Sequence, residues 1–333
     1  MEQSILEKWR KIYYYTKLII ELDPWSRFEE KDIFVLKTKE KQEEHFYSFL
    51  EESCGRCAIA IYRSGQAYCK ARERLHGRNT KHEPIFMLQD AVIFVLGDRE
   101  DVSKHNYGII KELGLKCRGK GAWPFFEKYS IGYAPQPIPE DELDLLQDDL
   151  GNLWMMVYMI AEGRVAVDFK NREIMARCYN PGDDTFYSYA TKLTRPLTPD
   201  YNVITLNDKE WLASLRESHS KGTISMDWSY IPTFIRDEGI DIVPRLLLII
   251  ENSSGCILRC TMLPPSELPH EDLLDELLDL FDVYGKPSTI QICDKEIECY
   301  IRELCKEIKI RVEYKPHLKQ FSKARKEMIN MYR

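Results

Sequence analysis

Residues 245–263 read RLLLIIENSSGCILRCTML. The apolar run, the polar stretch Asn252-Ser253-Ser254-Gly255 and a second largely apolar run predict two strands, Arg245–Ile250 and Cys256–Leu263, joined by a turn. A proline-containing loop follows, then a helix over 271–284 that lines up Leu273, Leu274, Leu277, Leu278 and Phe281. Gly285 and Pro287 close it. Thr289–Cys293 predicts another strand. Lys295–Glu307 predicts a helix with Ile297, Ile301, Leu304 and Ile308 aligned, Ile310–Tyr314 a further strand, and Leu318–Met331 a final basic helix. The order β-β-α-β-α-β-α describes a mixed sheet flanked by helices, an α/β domain.

Upstream, Arg195-Pro196-Leu197-Thr198-Pro199 is stiff and polar, and divides the chain into 1–195 and 196–333. Just past it, Asp208–His219 predicts a helix and Thr223–Ser229 a strand. The amino half reads as an aromatic-rich α+β domain. Its first helix, 3–22, sets Ile5, Trp9, Ile12, Thr16 and Ile19 on one face and stops at Asp23-Pro24-Trp25. Asp32–Lys37, Cys57–Tyr62 and Ala91–Leu96 predict strands; CAIAIYRSGQAYCKA (57–71) reads as two strands around Ser64-Gly65, and 71–84 as an exposed loop. After Pro135, Pro137 and Pro139 comes a helix with Glu140, Asp141 and Glu142 in its first turn and a stripe of Leu143, Leu146, Leu150, Leu153, Val157 and Ile160, stopped by Gly163. Val165–Phe169, Glu173–Tyr179 and Thr185–Leu193 predict antiparallel strands, the last two joined through Asn180-Pro181-Gly182-Asp183.

The composition suits such a chain: 333 residues give room for two cores, and 44% hydrophobic with 30% charged residues is ordinary for a globular protein. The opening MEQSILEKWRKIYYY has charges and rings where a secretory signal needs an apolar run, and no stretch approaches the ~20 apolar residues of a membrane span, so no membrane partner is expected and the expected location is the cytoplasm. A net charge of −7 opposes non-specific nucleic-acid binding, though not a local basic groove. Of ten cysteines, Cys54 and Cys57 have zinc-finger spacing and are followed by Cys69, His76 and His82, but a second close ligand pair is missing. Cys57 and Cys69 read better as small apolar fillers, so no structural metal is expected. No phosphate loop, nucleophile elbow or HExxH motif is present, and the histidines (among them His45, His105, His219, His270 and His317) stand apart.

The element order of 245–331, with GKPSTIQICDKE (285–296) and LCKEIKIRVEY (304–314), resembles a ribonuclease H-like fold whose middle hairpin strand is shortened or displaced. It is similar to the part of integrases and transposases where an aspartate follows a strand after a Gly-x-Pro turn. The whole chain, through FVLGDRED (94–101) and LGLKCRGKGAWPFFEKYSIGYAP (113–135), also resembles a family of bacterial two-domain proteins. Both of that family's halves are domains of unknown function. Cys117 stands where that family's run carries an aromatic residue.

The ribonuclease H-like resemblance implies two divalent ions, Mg or Mn, held by acids from the first strand, the end of the fourth strand and the last helix. The nearest matches are Glu251, Asp294 and Glu327. Each has a plainer role available: Glu251 starts a turn, Asp294 caps the helix from Lys295, and Glu327 pairs with Lys323 one turn back. A second constellation is Lys116, Arg118, Lys120, Trp123 and Lys128, interleaved with Phe125, Phe126, Tyr129 and Tyr133. Cations for phosphate and rings for bases are what a strand-binding surface uses, whereas a loop plugging the core with its rings needs the same residues. The acidic face Asp272, Asp275, Glu276, Asp279 and Asp282 reads as a solvated helix side. The leading expectation is a non-catalytic interaction or regulatory protein with a protein partner and no cofactor. A metal-dependent nuclease or strand-transfer enzyme, and a nucleic-acid-binding protein using 116–133, stand as alternatives.

Overall fold

The computed structural model describes residues 2–39, 43–51, 56–77, 89–194, 196–231, 234–237 and 239–331, of which 51, 75–77, 319–320 and 328–331 are described by backbone alone. The chain forms two compact units. The first comprises Met1–Arg74, Gln89–Ser130 and Pro135–Pro199; the second comprises Leu75–Leu88, Ile131–Ala134 and Asp200–Arg333. Both are mixed α/β assemblies built on mixed sheets. Among the described residues, no helix is long and apolar enough to cross a membrane.

The first unit runs α1 (Gln3–Glu21), β1 (Phe34–Lys37), β2 (Glu44–Glu51), β3 (Cys57–Tyr62), α2 (Gly65–Gly77), β4 (Ala91–Gly97), α3 (Lys104–Glu112), β5 (Trp123–Tyr129), α4 (Leu143–Ala161), β6 (Glu173–Asn180) and β7 (Thr185–Lys192). Seven strands lie in the order β5-β4-β3-β2-β1-β6-β7. All neighbours are antiparallel except β1 and β6. The stripe of α1 (Trp9, Ile12, Ile19) and that of α4 (Leu146, Leu150, Leu153, Val157) bury against Phe34, Tyr47, Phe49, Phe94 and Phe126. The other face carries Phe46, Ala60 and Tyr62, packed with Tyr68 and Ala71 of α2; Phe46 and Tyr68 stack at 5.0 Å.

Two expectations for this unit are corrected and two strands are added. Residues 65–77 form α2 rather than a second strand, because Ala67, Lys70, Ala71, Arg72, Glu73 and Arg74 are good helix formers. Val165–Phe169 is no strand; the chain turns instead through a short 3-10 helix at Phe169–Asn171, started by the Asp168 carboxylate. Two strands were absent from the reading. β2 is buried on both faces and so lacks polar alternation, and β5 lies at the sheet edge, where Pro124 is tolerated.

The second unit runs α5 (Lys209–Glu217), β8 (Lys221–Tyr230), β9 (Ile235–Asp237), β10 (Ile240–Ile242), β11 (Arg245–Glu251), β12 (Ile257–Leu263), α6 (Pro269–Val283), β13 (Pro287–Ile292), α7 (Lys295–Glu307), β14 (Arg311–Tyr314) and α8 (Lys319–Met331). Its main sheet is β12-β11-β8-β13-β14. β11 lies antiparallel to both β8 and β12, while β13 lies parallel to both β8 and β14. Ile224, Met226, Trp228, Leu247 and Ile249 face α6 and α7 through Leu277, Phe281, Ile297, Ile301 and Leu304. Leu248 and Ile250 face the other way, against Leu318 and Phe321 at the start of α8. The central strand is therefore β8, not the apolar run at 245–250, and the element order gains a strand at its head. Ser225, Asp227 and Ser229, all buried, form a polar row along that strand on the side away from Trp228. The expected strand Thr223–Ser229 is thus the centre of the sheet, and its polar row is why it does not look like a core strand.

Candidate functional site

The three acids suggested for metal binding are not brought together. Glu251, at the end of β11, pairs in register with Ile224. Its carboxylate accepts from Ser254 Oγ at 2.5 Å and Tyr284 Oη at 2.9 Å. These two hydroxyls, Ser254 first, hold it below the ordinary carboxylate range. Burial, then the hydrogen bond to the Glu251 carboxylate, pushes the Tyr284 phenol up to about 12. Asp294 sits beyond the end of β13, almost fully buried. Its Oδ1 caps α7 by accepting from Glu296 N at 2.8 Å, and its Oδ2 accepts from Trp228 Nε1 at 2.7 Å.

Ile224 and Trp228 are four residues apart on β8. Glu251 and Asp294 are therefore separated by about 13 Å along the strands and two strand spacings of about 4.8 Å across them. Glu327 is exposed on α8, the helix packed on the opposite face. Distance and facing divide the set. Among the described residues, no group of three or more His, Cys, Asp or Glu side chains could hold a metal ion. Of the zinc-spaced residues, Cys54, His82 and the side chain of His76 lie outside the described set; Cys57 lies on β3 and Cys69 on α2.

The acid on the central strand that the sequence reading passed over is Asp227. It is buried, and its Oδ2 accepts from Cys293 Sγ at 2.6 Å. Its facing on β8, with Leu248 opposite, places it on the α8 side, whereas Asp294 reaches Trp228 from the α6–α7 side. The alternation of polar Ser225, Asp227 and Ser229 with apolar Met226 and Trp228 is a signal that could have exposed it.

In the first unit the basic and aromatic set divides in two. Lys116, Arg118 and Lys120 are exposed on the α3–β5 loop, next to Trp123 at the start of β5. Asp98 Oδ1 accepts from Gly121 N at 2.7 Å and pins this loop to the turn that carries Arg99. The Arg99 guanidinium lies 3.9 Å from the Tyr107 ring centroid and 5.5 Å from that of Trp123. Trp123 is half-buried and its ring centroid is 6.3 Å from that of Tyr107.

Phe125, Phe126 and Tyr129 are core residues. Lys128 does not belong with the loop: it lies about 17 Å further along β5. There its Nζ donates to Glu142 Oε1 at 2.5 Å, and Arg63 pairs with the same carboxylate.

That ion pair is the rim of a buried polar network the sequence did not announce. Asp149, fully buried in α4, accepts on Oδ1 from His45 Nδ1 at 2.6 Å and from Tyr47 Oη at 3.1 Å. Arg63 Nε approaches its Oδ2 at 3.4 Å. His45 and Tyr47 share one face of β2, two residues apart. The His45–Asp149 pair has the composition of a catalytic dyad, but both side chains are closed off, at 2% and 0% exposure. Its role is to tie α4 to the sheet.

Two family models match separate stretches of the chain. A family model described as Domain of unknown function (DUF7309) matches residues 9–177, just over half the chain. A second, described as Domain of unknown function (DUF6930), matches residues 211–329. No curated protein matches. Among solved structures, the chain is similar to the simian T-cell lymphotropic virus intasome in complex with PP2A regulatory subunit B56 gamma, at 16% identity and a TM-score of 0.23. That likeness covers 29% of this chain and 32% of that one, so the chain spans about a third of the length of the intasome protein. It is also similar to the HTLV-2 integrase catalytic core domain in complex with magnesium. The dimeric form matches at 14% identity, covering 33% of this chain and 71% of that one, with a TM-score of 0.26. The trimeric form matches at 14%, covering 34% and 72%, with a TM-score of 0.26. The chain belongs to the family defined by Domain of unknown function (DUF7309), joined here to Domain of unknown function (DUF6930).

Proposed function

We propose that the chain is a non-catalytic binding protein of a reducing, cytoplasmic compartment. In this reading its second unit is a ribonuclease H-like scaffold whose acids serve packing instead of metal chemistry. The strand order supports the scaffold: a central β8, an antiparallel hairpin to one side, two parallel strands to the other, and helices on both faces. Fold alone assigns no activity. The observation that carries the proposal is Asp294, at the end of the parallel strand. Both of its oxygens are engaged within the protein, by the α7 backbone and by the Trp228 indole. An acid committed in this way holds the fold, and turning it toward a metal would strip the cap and strand a buried donor.

The test is direct. The full chain is incubated with Mg or Mn and end-labelled single- and double-stranded DNA and RNA, beside an Asp294→Asn variant. The expected result is intact substrate with both proteins. Cleavage by the wild type that Asp294→Asn abolishes would overturn the proposal.

A further inference from the structure

Many cations of the first unit are held in ion pairs. Lys8, Lys31, Lys37, Lys39, Arg56, Arg63, Arg72 and Lys128 each pair with a carboxylate. Lys116, Arg118, Lys120 and Arg99 are all exposed, and among the described residues none of them is paired with an acid. In a chain of net charge −7, four such cations gathered around one loop make a locally positive patch.

The loop backbone has the same character. Gly119 and Gly121 hold left-handed φ angles of 97° and 61°, and a Cβ at either would meet no atom within 4 Å. These glycines serve the path of the chain, not packing. Gly121 N is taken by Asp98. Among the described residues, no acceptor meets the backbone N–H groups of Arg118, Gly119 or Lys120. Peptide donors next to left-handed residues make concave anion sites, and three cations on the same loop add charge to them. Beside the loop stands a flat platform. The exposed Arg99 guanidinium lies on the Tyr107 ring, itself 39% exposed, with Trp123 behind. Phosphate-binding donors next to an exposed stacked surface are complementary to a chain that alternates phosphates with flat bases.

From this juxtaposition we infer that the α3–β5 loop and the Arg99–Tyr107 platform form a binding site for single-stranded nucleic acid. The inference rests on the binding-protein reading and supplies its partner class. Loop N–H groups with Lys116, Arg118 and Lys120 take the phosphates, and Arg99 and Tyr107 take a base. A duplex keeps its bases stacked inside and offers the platform nothing, so the preference is for single strands.

The test uses fluorescence anisotropy with the full chain and labelled single-stranded DNA and RNA probes of about 12 nucleotides, titrated at several salt concentrations. The triple change Lys116→Ala, Arg118→Ala, Lys120→Ala is expected to weaken binding tenfold or more and to lower the logarithmic salt slope by about 2, at roughly 0.7 per lost phosphate contact. Tyr107→Ala is expected to cost about fivefold or more with the salt slope unchanged. Lys192→Ala, at the far sheet edge, is the control and should change affinity less than twofold. Thermal unfolding of each variant checks that the fold persists, as expected for exposed side chains.

The DNA and RNA arms show which sugar the site prefers. Absence of single-strand binding at low salt, binding unmoved by the triple change, or equal affinity for a duplex would overturn the inference. None of these results touches the non-catalytic reading, which then takes a protein partner. That reading fails separately, if the bound probe is cut in the presence of Mn.

Discussion

Replacing Asp149 probes the deepest polar feature of the first unit. Its carboxylate accepts from His45 at 2.6 Å and Tyr47 at 3.1 Å, with Arg63 Nε at 3.4 Å, and no part of it reaches solvent. Burial, then the adjacent Asp149 charge, drives the Tyr47 phenol well above its ordinary value, so it stays a donor at every accessible pH. Asp149→Ala removes the acceptor and leaves the His45 and Tyr47 donors enclosed, while Arg63 keeps Glu142. Each stranded donor costs about 1–3 kcal/mol, and loss of one member of a buried charged set about 3–5 kcal/mol in all. Partial relaxation around the 3.4 Å contact favours the lower half of that range. Against a total stability of about 5–15 kcal/mol, this is a large fraction. At about 2–4 °C per kcal/mol, the melting temperature of the first unit should fall by roughly 6–16 °C.

Differential scanning calorimetry of the full chain at pH 7 measures this. Asp149→Asn keeps one acceptor and should fall between the two. The triple change Asp149→Leu, His45→Leu, Tyr47→Phe removes donors along with the acceptor and should recover a good part of the loss, because an apolar set replaces a polar one without stranded groups. A shift under about 2 °C for Asp149→Ala, or a triple variant less stable than the single one, would refute the reasoning.

Three other outcomes are expected. Burial pushes the Glu142 carboxyl up, but hydrogen bonding to Lys128 and the Arg63 charge outweigh it and hold the group below its ordinary range. Its contribution is therefore present above the unfolded carboxylate value of about 4.3 and lost as pH falls through the folded one. Glu142→Gln should cost roughly 1 kcal/mol at pH 7, after allowance for its partial exposure, and flatten the acid limb of a urea-midpoint-against-pH profile. Cys305 lies in the second core, where burial pushes its thiol up to about 12, so it should resist iodoacetamide in the folded chain while exposed Cys256 is alkylated, as peptide mass spectrometry can show. Asp294→Ala loses a helix cap and strands the Trp228 indole donor, for about 2–4 kcal/mol by urea titration, whereas Asp294→Asn should cost less than half as much.

What could be read beforehand follows from where the polarity lies. Helices α1, α4, α6 and α7 each bury one stripe and wet the other, so their spacing alone identifies them; of the α4 stripe only Ile160 falls short of full burial. The hairpin β11–β12 shows itself by a polar turn between apolar runs. β2 and the buried polar row of β8 hide for opposite reasons. β2 is enclosed on both sides by rings, with His45 and Ser48 buried among them, so no face of it looks like a surface. β8 is also enclosed, but one of its buried rows is Ser225, Asp227 and Ser229, which on a sequence look like a surface. A polar residue announces exposure only when its partners are near in the chain. The acceptors and donors that make these positions tolerable come from 27 to 104 residues away, as in Ser225 with Asn252, Asp227 with Cys293 and His45 with Asp149.

The same logic sorts the candidate sites. Glu251 and Asp294 were legible as strand-end acids, but their separation depends on register, and register was displaced once β11 was taken for the first strand. The loop at 116–120 needed no register. Its cations are unmatched and its glycines unpacked within a few residues of one another, and Lys128 joined the set only because β5 was read as loop. A carboxylate engaged on both oxygens, as Asp294 is, has little left to offer a ligand. Loop donors and cations that the fold leaves uncommitted have their whole interaction energy to give, which is why the site we propose lies on the α3–β5 loop and not among the acids of the second sheet.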